Sequence, residues 1–131
     1  GELYPFGYGL SYTTFAYSDL EVTPLEQPTQ GDYTIRLKVT NTGKRAGDEV
    51  VQLYVRDKVS SVITYDSQLR GFERVSLQPG KTKEVTFRLT PEDLQLLDRN
   101  MHWTVEPGEF EFMVGASSQD IRLKQTVRAL P

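Results

Sequence analysis

The segment "DYTIRLKVTN" (residues 32–41) alternates apolar and polar residues without a break. Tyr33, Ile35, Leu37 and Val39 share one face, and the polar residues between them share the other. A period of two residues is typical of a β-strand that buries one face and exposes the other. The segment therefore predicts a strand of an antiparallel sheet that covers an apolar core.

The same alternation recurs along the chain and indicates a fold built from strands. It predicts further strands in "EVVQLYVRD" (49–57), "LRGFERV" (69–75), "KTKEVTFRL" (81–89), "EFEFMVGAS" (109–117) and "IRLKQTV" (121–127). Trp103 and Val105 precede a Pro-Gly turn, so we predict a hairpin over residues 102–114. About seven short strands with regularly spaced turns predict an all-β fold, a two-sheet sandwich.

Two local signals refine this prediction. In "TPEDLQLLD" (90–98), Thr90 is a plausible N-cap, Pro91 suits the first helical position, and the acidic residues after it suit a helix N-terminus. The segment predicts one short helical turn near residues 91–97. Gly71 lies inside a strand pattern, which predicts a bulge or a close backbone contact.

Composition excludes several classes of function. The chain has 131 residues, about one domain, with 15 basic and 18 acidic residues well mixed along it. No basic stripe offers a nucleic-acid surface, and no apolar run approaches the roughly 20 residues that span a membrane. The chain has no cysteine and no cofactor or metal motif, so we expect neither cofactor nor metal.

Catalytic signatures are also missing from the sequence. The single histidine, His102, has no nucleophile motif near it, and the acidic residues fall in turns or on polar strand faces. Glycoside hydrolysis needs two carboxylates facing each other across one bond, and no motif marks such a pair. We therefore predict that the 131-residue chain has no catalytic residues and is not itself an enzyme.

Two segments stand apart from the strand pattern. The first, "LYPFGYGLSYTTF" (3–15), is strongly aromatic, and its glycines let the backbone approach another surface. We expect it to pack against protein. The residues predicted to do so are Tyr4, Phe6, Tyr8, Leu10, Tyr12 and Phe15. The alternative is a sugar-stacking platform, to which Tyr54 and Tyr65 would also contribute.

The second segment is the loop between residues 58 and 69, which has no clean period. Loops of this length in a tight fold are often functional or interfacial. Tyr65 is the aromatic candidate in it, and Asp66 follows directly.

Four stretches together carry a family resemblance: "LYPFGYGLSYTTF", "VTNTGKRAGDEVVQLYVRD", "LRGFERVSLQPGKTKEVTFRLT" and "VEPGEFEFMVGASSQDIRL". In this order they resemble the C-terminal fibronectin type III-like domain of glycoside hydrolase family 3 enzymes, the β-glucosidases and β-xylosidases. The bacterial periplasmic β-glucosidases look most similar. One departure is "TYDSQL" (64–69), where family members often carry a proline-containing run.

The resemblance implies an immunoglobulin/fibronectin type III-like sandwich over residues 14–131, preceded by a linker segment over residues 1–13. It implies that the linker packs on a preceding catalytic domain, and that Tyr65 and Asp66 face catalytic domains or sugar. The expected partners are upstream catalytic domains of the same polypeptide, without nucleic acid or membrane. The implied parent is a retaining β-glycosidase, a β-glucosidase ahead of a β-xylosidase, that is periplasmic or secreted. The alternative function is a carbohydrate-binding module with weak sugar contact through surface aromatics.

Overall fold

The computed structural model describes residues 13–58, 67–94, 96–97, 103–104 and 107–131. In these ranges the chain forms ten strands and one short 3-10 helix. The strands are β1 (Phe15–Thr23), β2 (Glu26–Pro28), β3 (Tyr33–Asn41), β4 (Gly47–Asp57), β5 (Gln68–Leu77), β6 (Thr82–Leu89), β7 (Leu96–Leu97), β8 (Trp103–Thr104), β9 (Gly108–Ser117) and β10 (Asp120–Leu130). The 3-10 helix spans Pro91–Leu94, between β6 and β7.

Eight of the strands form two sheets, as the period-two pattern predicts. The first sheet has the order β1-β3-β6 and is antiparallel throughout. The second has the order β2-β10-β9-β4-β5, with the short edge strand β2 parallel to β10. Strands β7 and β8 pair only with each other among the described strands. The predicted all-β, two-sheet sandwich is confirmed.

The core lies between the two sheets and is filled by the residues that the alternation places inward. Ile35 and Val39 of the first sheet and Val51 and Leu53 of the second are fully buried. The rings of Tyr33 and Phe112 meet edge to face across the core, with centroids 5.2 Å apart. Aromatic pairs prefer this geometry because the ring edge is positive and the face is negative.

The predicted count of about seven strands omitted β1 and β2, which lie between Phe15 and Pro28. The reason for missing β1 is a bulge between Ser18 and Glu21, where Asp19 adopts a positive φ of 56°. The inward positions of β1 therefore change phase, from Phe15 and Tyr17 to Val22. A bulge inserts one residue and breaks the period-two pattern.

Two other local predictions need correction. The helical turn ends at Leu94 and not near residue 97, because Leu96 and Leu97 form strand β7. The hairpin predicted over residues 102–114 is wrong, since Trp103 pairs with Leu97 of β7 while β9 pairs with β10 and β4. No helix in the described ranges is long and apolar enough to cross a membrane.

The start of the helical turn and the bulge were predicted correctly. The backbone N–H and the hydroxyl of Thr90 both donate to Asp93 Oδ2, at 2.7 and 3.0 Å, which ties the cap to the turn. In β5, Leu53 of β4 pairs with Gly71 and Tyr54 pairs with Leu69, so Arg70 is the extra residue of a bulge. A Cβ on Gly71 would lie 3.0 Å from the ring of Phe87, which is the close approach expected there.

Candidate functional site

Most of the sequence-predicted site residues lie outside the described ranges. Phe15 and Tyr54 are the two of them that fall inside. The others are Tyr4, Phe6, Tyr8, Leu10, Tyr12, Tyr65 and Asp66. His102 also lies outside, so its role as a surface or structural histidine stays a prediction.

Phe15 begins β1, is half-buried and packs against the core of this domain. Its carbonyl oxygen accepts a hydrogen bond from Arg122 Nη1 of β10, at 2.8 Å. Phe15 is only half-buried, which leaves surface for a further contact. Its role in packing against another domain stays a prediction.

The first described residues are fastened to the turn after β3 by a group we call the N-terminal anchor: Thr13, Thr14, Asn41, Thr42 and Gly43. The hydroxyl of Thr13 donates to Asn41 Oδ1 at 2.6 Å. The carbonyl of Thr14 accepts from the backbone N–H of Thr42 at 2.8 Å, and the two side-chain hydroxyls lie 2.7 Å apart. The backbone is therefore fixed at the point where residues 1–12 join the sandwich.

Asn41 is the centre of this anchor and is completely buried. Its Oδ1 also accepts from the N–H of Gly43 at 2.9 Å, and its Nδ2 donates to the carbonyls of Arg45 at 2.8 Å and Leu77 at 2.9 Å. A buried amide is costly unless it is paired, and here each amide atom makes two bonds. One side chain thus joins the N-terminal segment to the end of β3, the following turn and the end of β5.

The two glycines of this turn make room for Thr13. A Cβ on Gly43 would overlap the Thr13 hydroxyl and lie 3.0 Å from the backbone nitrogen of Thr14. A Cβ on Gly47 would overlap the methyl group of Thr13. The turn "NTGKRAGD" is therefore shaped to receive the N-terminal segment, which explains why glycine stands at both positions.

A second cluster binds β1 to the opposite sheet. The hydroxyl of Tyr17 donates to Glu49 Oε2 at 3.0 Å. The guanidinium of Arg122 lies 5.1 Å from the centre of the Tyr17 ring, within cation–π range, and forms a two-pronged pair with Asp120. The cluster joins β1, β4 and the start of β10, so it restrains the start of the domain together with the bond from Arg122 to the Phe15 carbonyl.

The surroundings of this cluster change its acid–base properties. Burial raises the pKa of the Tyr17 hydroxyl, and the neighbouring Glu49 carboxylate raises it further. Burial also raises the pKa of Glu49, against the opposing effect of the Tyr17 hydrogen bond. Asp120 differs, because hydrogen bonds from Arg122 lower its pKa. The cluster is therefore most stable with Tyr17 neutral.

This gives a prediction for alkaline pH. Because the pKa of Tyr17 is higher in the folded than in the unfolded chain, its stabilising contribution is complete below about pH 10 and is lost as the pH rises above it. We expect the difference in unfolding free energy between the native chain and Tyr17→Phe to fall from about pH 9 to about pH 11. Urea unfolding at each pH measures it.

The matched variant is Glu49→Gln, which keeps a hydrogen-bond acceptor for Tyr17 but removes the negative charge. We expect the alkaline loss to be smaller in Glu49→Gln than in the native chain. Parallel stability curves for the native chain and Tyr17→Phe over this pH range would contradict the assignment.

Several carboxylates of the described residues are paired with arginine side chains. Glu109 pairs with Arg128 at 3.0 Å, Glu111 pairs with Arg56 at 2.9 Å, and Asp48 pairs with Arg74. Within the described ranges no three His, Cys, Asp or Glu side chains could hold a metal ion. The geometry of these residues therefore suits a structural joint.

The sequence carries a signal for the buried position of Asn41. The inward positions 33, 35, 37 and 39 of β3 continue to position 41. A polar side chain at an inward position must find partners in the core, which marks it as a network residue.

Comparison with known proteins agrees with this architecture. The model of the family "Fibronectin type III-like domain" matches residues 49–118. A β-xylosidase of Formosa agariphila is 48% identical over 93% of this chain, and a periplasmic β-glucosidase of Salmonella typhimurium is 42% identical over 93%. A solved β-glucosidase structure from Erythrobacter marinus superposes with a TM-score of 0.84 and 39% identity over 97% of the chain.

These similarities cover only part of the relatives. The chain spans 17% of the Formosa protein, 16% of the Salmonella protein and 17% of the Erythrobacter chain. It therefore corresponds to about one sixth of proteins that are glycoside hydrolase family 3 β-xylosidases and β-glucosidases. The chain belongs to the fibronectin type III-like domain family and is the domain of this kind found in family 3 glycoside hydrolases.

Proposed function

We propose that this chain is the non-catalytic accessory domain of a family 3 β-glycosidase and that it braces the catalytic domains of the same polypeptide. The observation that carries the proposal is the N-terminal anchor. A domain that only needed to be tethered could begin with a flexible joint, as domain boundaries usually do. Here the chain is hydrogen bonded through the Thr13 hydroxyl and the Thr14 carbonyl, and Tyr17 ties the first strand to the second sheet.

Bracing requires a rigid connection, so that the position of one domain restrains the position of its neighbour. Asn41 connects the N-terminal segment to both sheets through β3 and β5, so a force on residues 1–12 acts on the whole sandwich. Packing of the aromatic segment against a neighbouring domain would then hold that domain at a fixed position. Small misplacements of reacting groups lower catalytic rates strongly, so such restraint benefits an active site shared between domains.

The parent polypeptide would hydrolyse O-glycosidic bonds with retention of configuration, as a β-glucosidase or a β-xylosidase. The similarity to a relative named β-xylosidase and to another named β-glucosidase supports this range of substrates. We propose that it acts in the periplasm or outside the cell, which is supported by the name of the Salmonella relative.

Deletion of residues 13–131 from the parent enzyme tests the accessory role. We expect kcat/KM on an aryl β-glycoside to fall on the order of 100-fold and the thermal midpoint to drop, because the catalytic domains lose their brace. Unchanged activity together with an unchanged midpoint would refute the proposal.

A second variant separates bracing from simple tethering. Six Gly/Ser residues inserted between Tyr12 and Thr13 leave the sandwich intact but loosen the joint. We expect this insertion to reduce activity in the same direction as the deletion. The matched control is the same insertion between Thr29 and Gln30, in the turn between β2 and β3, where the Gly31 N–H donates to the Pro28 carbonyl and Gln30 is exposed.

A further inference from the structure

The outer face of the second sheet carries an apolar stripe along β4 and β5. Phe72 lies opposite Gln52, and Leu69 lies opposite Tyr54. The Phe72 residue is 69% exposed and Leu69 is 46% exposed. Val50, on the same face of β4, is 39% exposed. We call Val50, Tyr54, Leu69 and Phe72 the outer-face stripe.

The exposed apolar side chains of this domain are concentrated on the strand pair β4 and β5 within the described ranges. Four large apolar residues are exposed in the described ranges, and three of them belong to the stripe. Single exposed apolar residues are common, whereas contiguous ones mark interaction surfaces. The stripe therefore indicates a surface that another protein or domain covers.

The side chains of the stripe cannot be buried in the core of their own domain. Gly71 faces inward opposite Leu53, with the ring of Phe87 against it, and the bulge at Arg70 puts both Leu69 and Phe72 on the outer face. Phe72 is held on a paired strand, so it needs little ordering when a partner binds. A preformed apolar surface of this kind favours docking.

The side chains of Gln52, Tyr54 and Arg74, which lie beside or within the stripe, already have hydrogen-bond partners within the domain. Gln52 Nε2 donates to the carbonyl of Ala116 at 2.9 Å, and the Tyr54 hydroxyl donates to Gln52 Oε1. Arg74 pairs with Asp48 beside them. A sugar site requires polar groups that are free to bond the sugar hydroxyls. The stripe therefore favours an apolar protein surface over a carbohydrate.

The position of the stripe indicates which protein surface. Strand β5 ends at Leu77, whose carbonyl is bound by Asn41, and Asn41 holds Thr13. Phe72 lies five residues before Leu77, which is about 17 Å along the strand. A folded domain joined to the chain just before Thr13 would be close enough to reach it.

We propose that the outer-face stripe docks against an apolar surface of a domain that precedes Thr13 in the same polypeptide. The proposal rests on the proposed accessory function. In the relatives, about five sixths of the polypeptide lies outside the matched part, so a covalently linked partner is present at high effective concentration. The rim of that surface would meet the ion pair of Arg74 and Asp48.

The test compares Phe72→Glu in the parent enzyme and in the 131-residue chain. We expect the substitution to lower the thermal midpoint of the parent but not that of the 131-residue chain, where Phe72 is exposed. Hydroxyl-radical footprinting should also show native Phe72 oxidised several-fold less in the parent than in the 131-residue chain. Thr86→Glu, an exposed strand position in the first sheet with the same change of charge, is the matched control.

The possible failures are distinguishable. If the deletion of residues 13–131 impairs the parent but Phe72→Glu does not, and Phe72 is equally oxidised in both proteins, this inference is overturned while the accessory function stands. If the deletion has no effect either, the proposed accessory function is also refuted. Concentration-dependent dimerisation of the 131-residue chain that Phe72→Glu abolishes would assign the stripe to a second copy instead. Protection of Phe72 in the 131-residue chain by a soluble β-glucan would assign it to carbohydrate, and each of these two results overturns the proposal.

Discussion

Replacement of Asn41 by Leu is expected to lower the unfolding free energy of this chain by about 4 kcal/mol, because the four part-buried hydrogen bonds of its amide are lost at once. The Leu side chain has the same number and branching of heavy atoms as Asn, but it neither donates nor accepts hydrogen bonds. The Gly43 N–H and the carbonyls of Arg45 and Leu77 would be left without the amide that binds them. Urea unfolding of the native chain and the variant measures the difference.

The matched control for Asn41→Leu is Thr14→Val, which removes the exposed hydroxyl contact with Thr42 while keeping the branched shape. We expect that change to cost less than about 1 kcal/mol, because water replaces an exposed hydrogen bond. A loss below about 1 kcal/mol for Asn41→Leu as well would mean that the amide network adds little to stability.

Gly115→Ala is the second substitution with a large expected effect. A Cβ at Gly115 would overlap the carbonyl oxygen of Asp120 and lie 2.8 Å from the Cα of Ile121. Both obstacles are backbone atoms of the paired strand β10, so neither can rotate away, and the strands must separate. We expect a loss of about 3 kcal/mol, at the upper end for overpacking, measured by thermal and urea unfolding.

The control for Gly115→Ala is Gly80→Ala. Gly80 has a φ of 79°, and a Cβ there would meet nothing within 4 Å. Alanine at this position is expected to lower the unfolding free energy by about 1 kcal/mol, because it must adopt a left-handed backbone conformation. Equal losses for the two variants would show that backbone conformation, and not the approach of β10, explains why glycine occupies position 115.

Most of the fold was predictable from the sequence because burial on one face leaves a period of two. The inward residues named for β3, such as Ile35 and Leu37, are all buried. The prediction failed where the period breaks, as at the bulge of β1. It also failed for Trp103, because the partner of a short strand depends on residues distant in sequence and not on the nearest turn.

The candidate site was less predictable. The aromatic segment at residues 3–15 drew attention to the N-terminus, but the role of Asn41 and Gly43 in fastening the end of this segment was not predicted. Their role comes from Thr13, which lies 28 residues before Asn41 and contacts it only in the folded chain. Phe72 was missed in the same way, although its position between inward Gly71 and Glu73 marks the outer face.

By itself, the sequence determined that this chain is an all-β sandwich of the fibronectin type III-like kind, because alternation and turn residues are local properties. It also determined the family, since four matching stretches persist in order along the chain. Only the tertiary structure decided that Asn41 joins the N-terminal segment to both sheets, and that the bulge at Arg70 brings Leu69 to the outer face beside Phe72. Hydrogen bonds between distant residues and the choice of face at a bulge arise only when the strands pair, so no local pattern contains them.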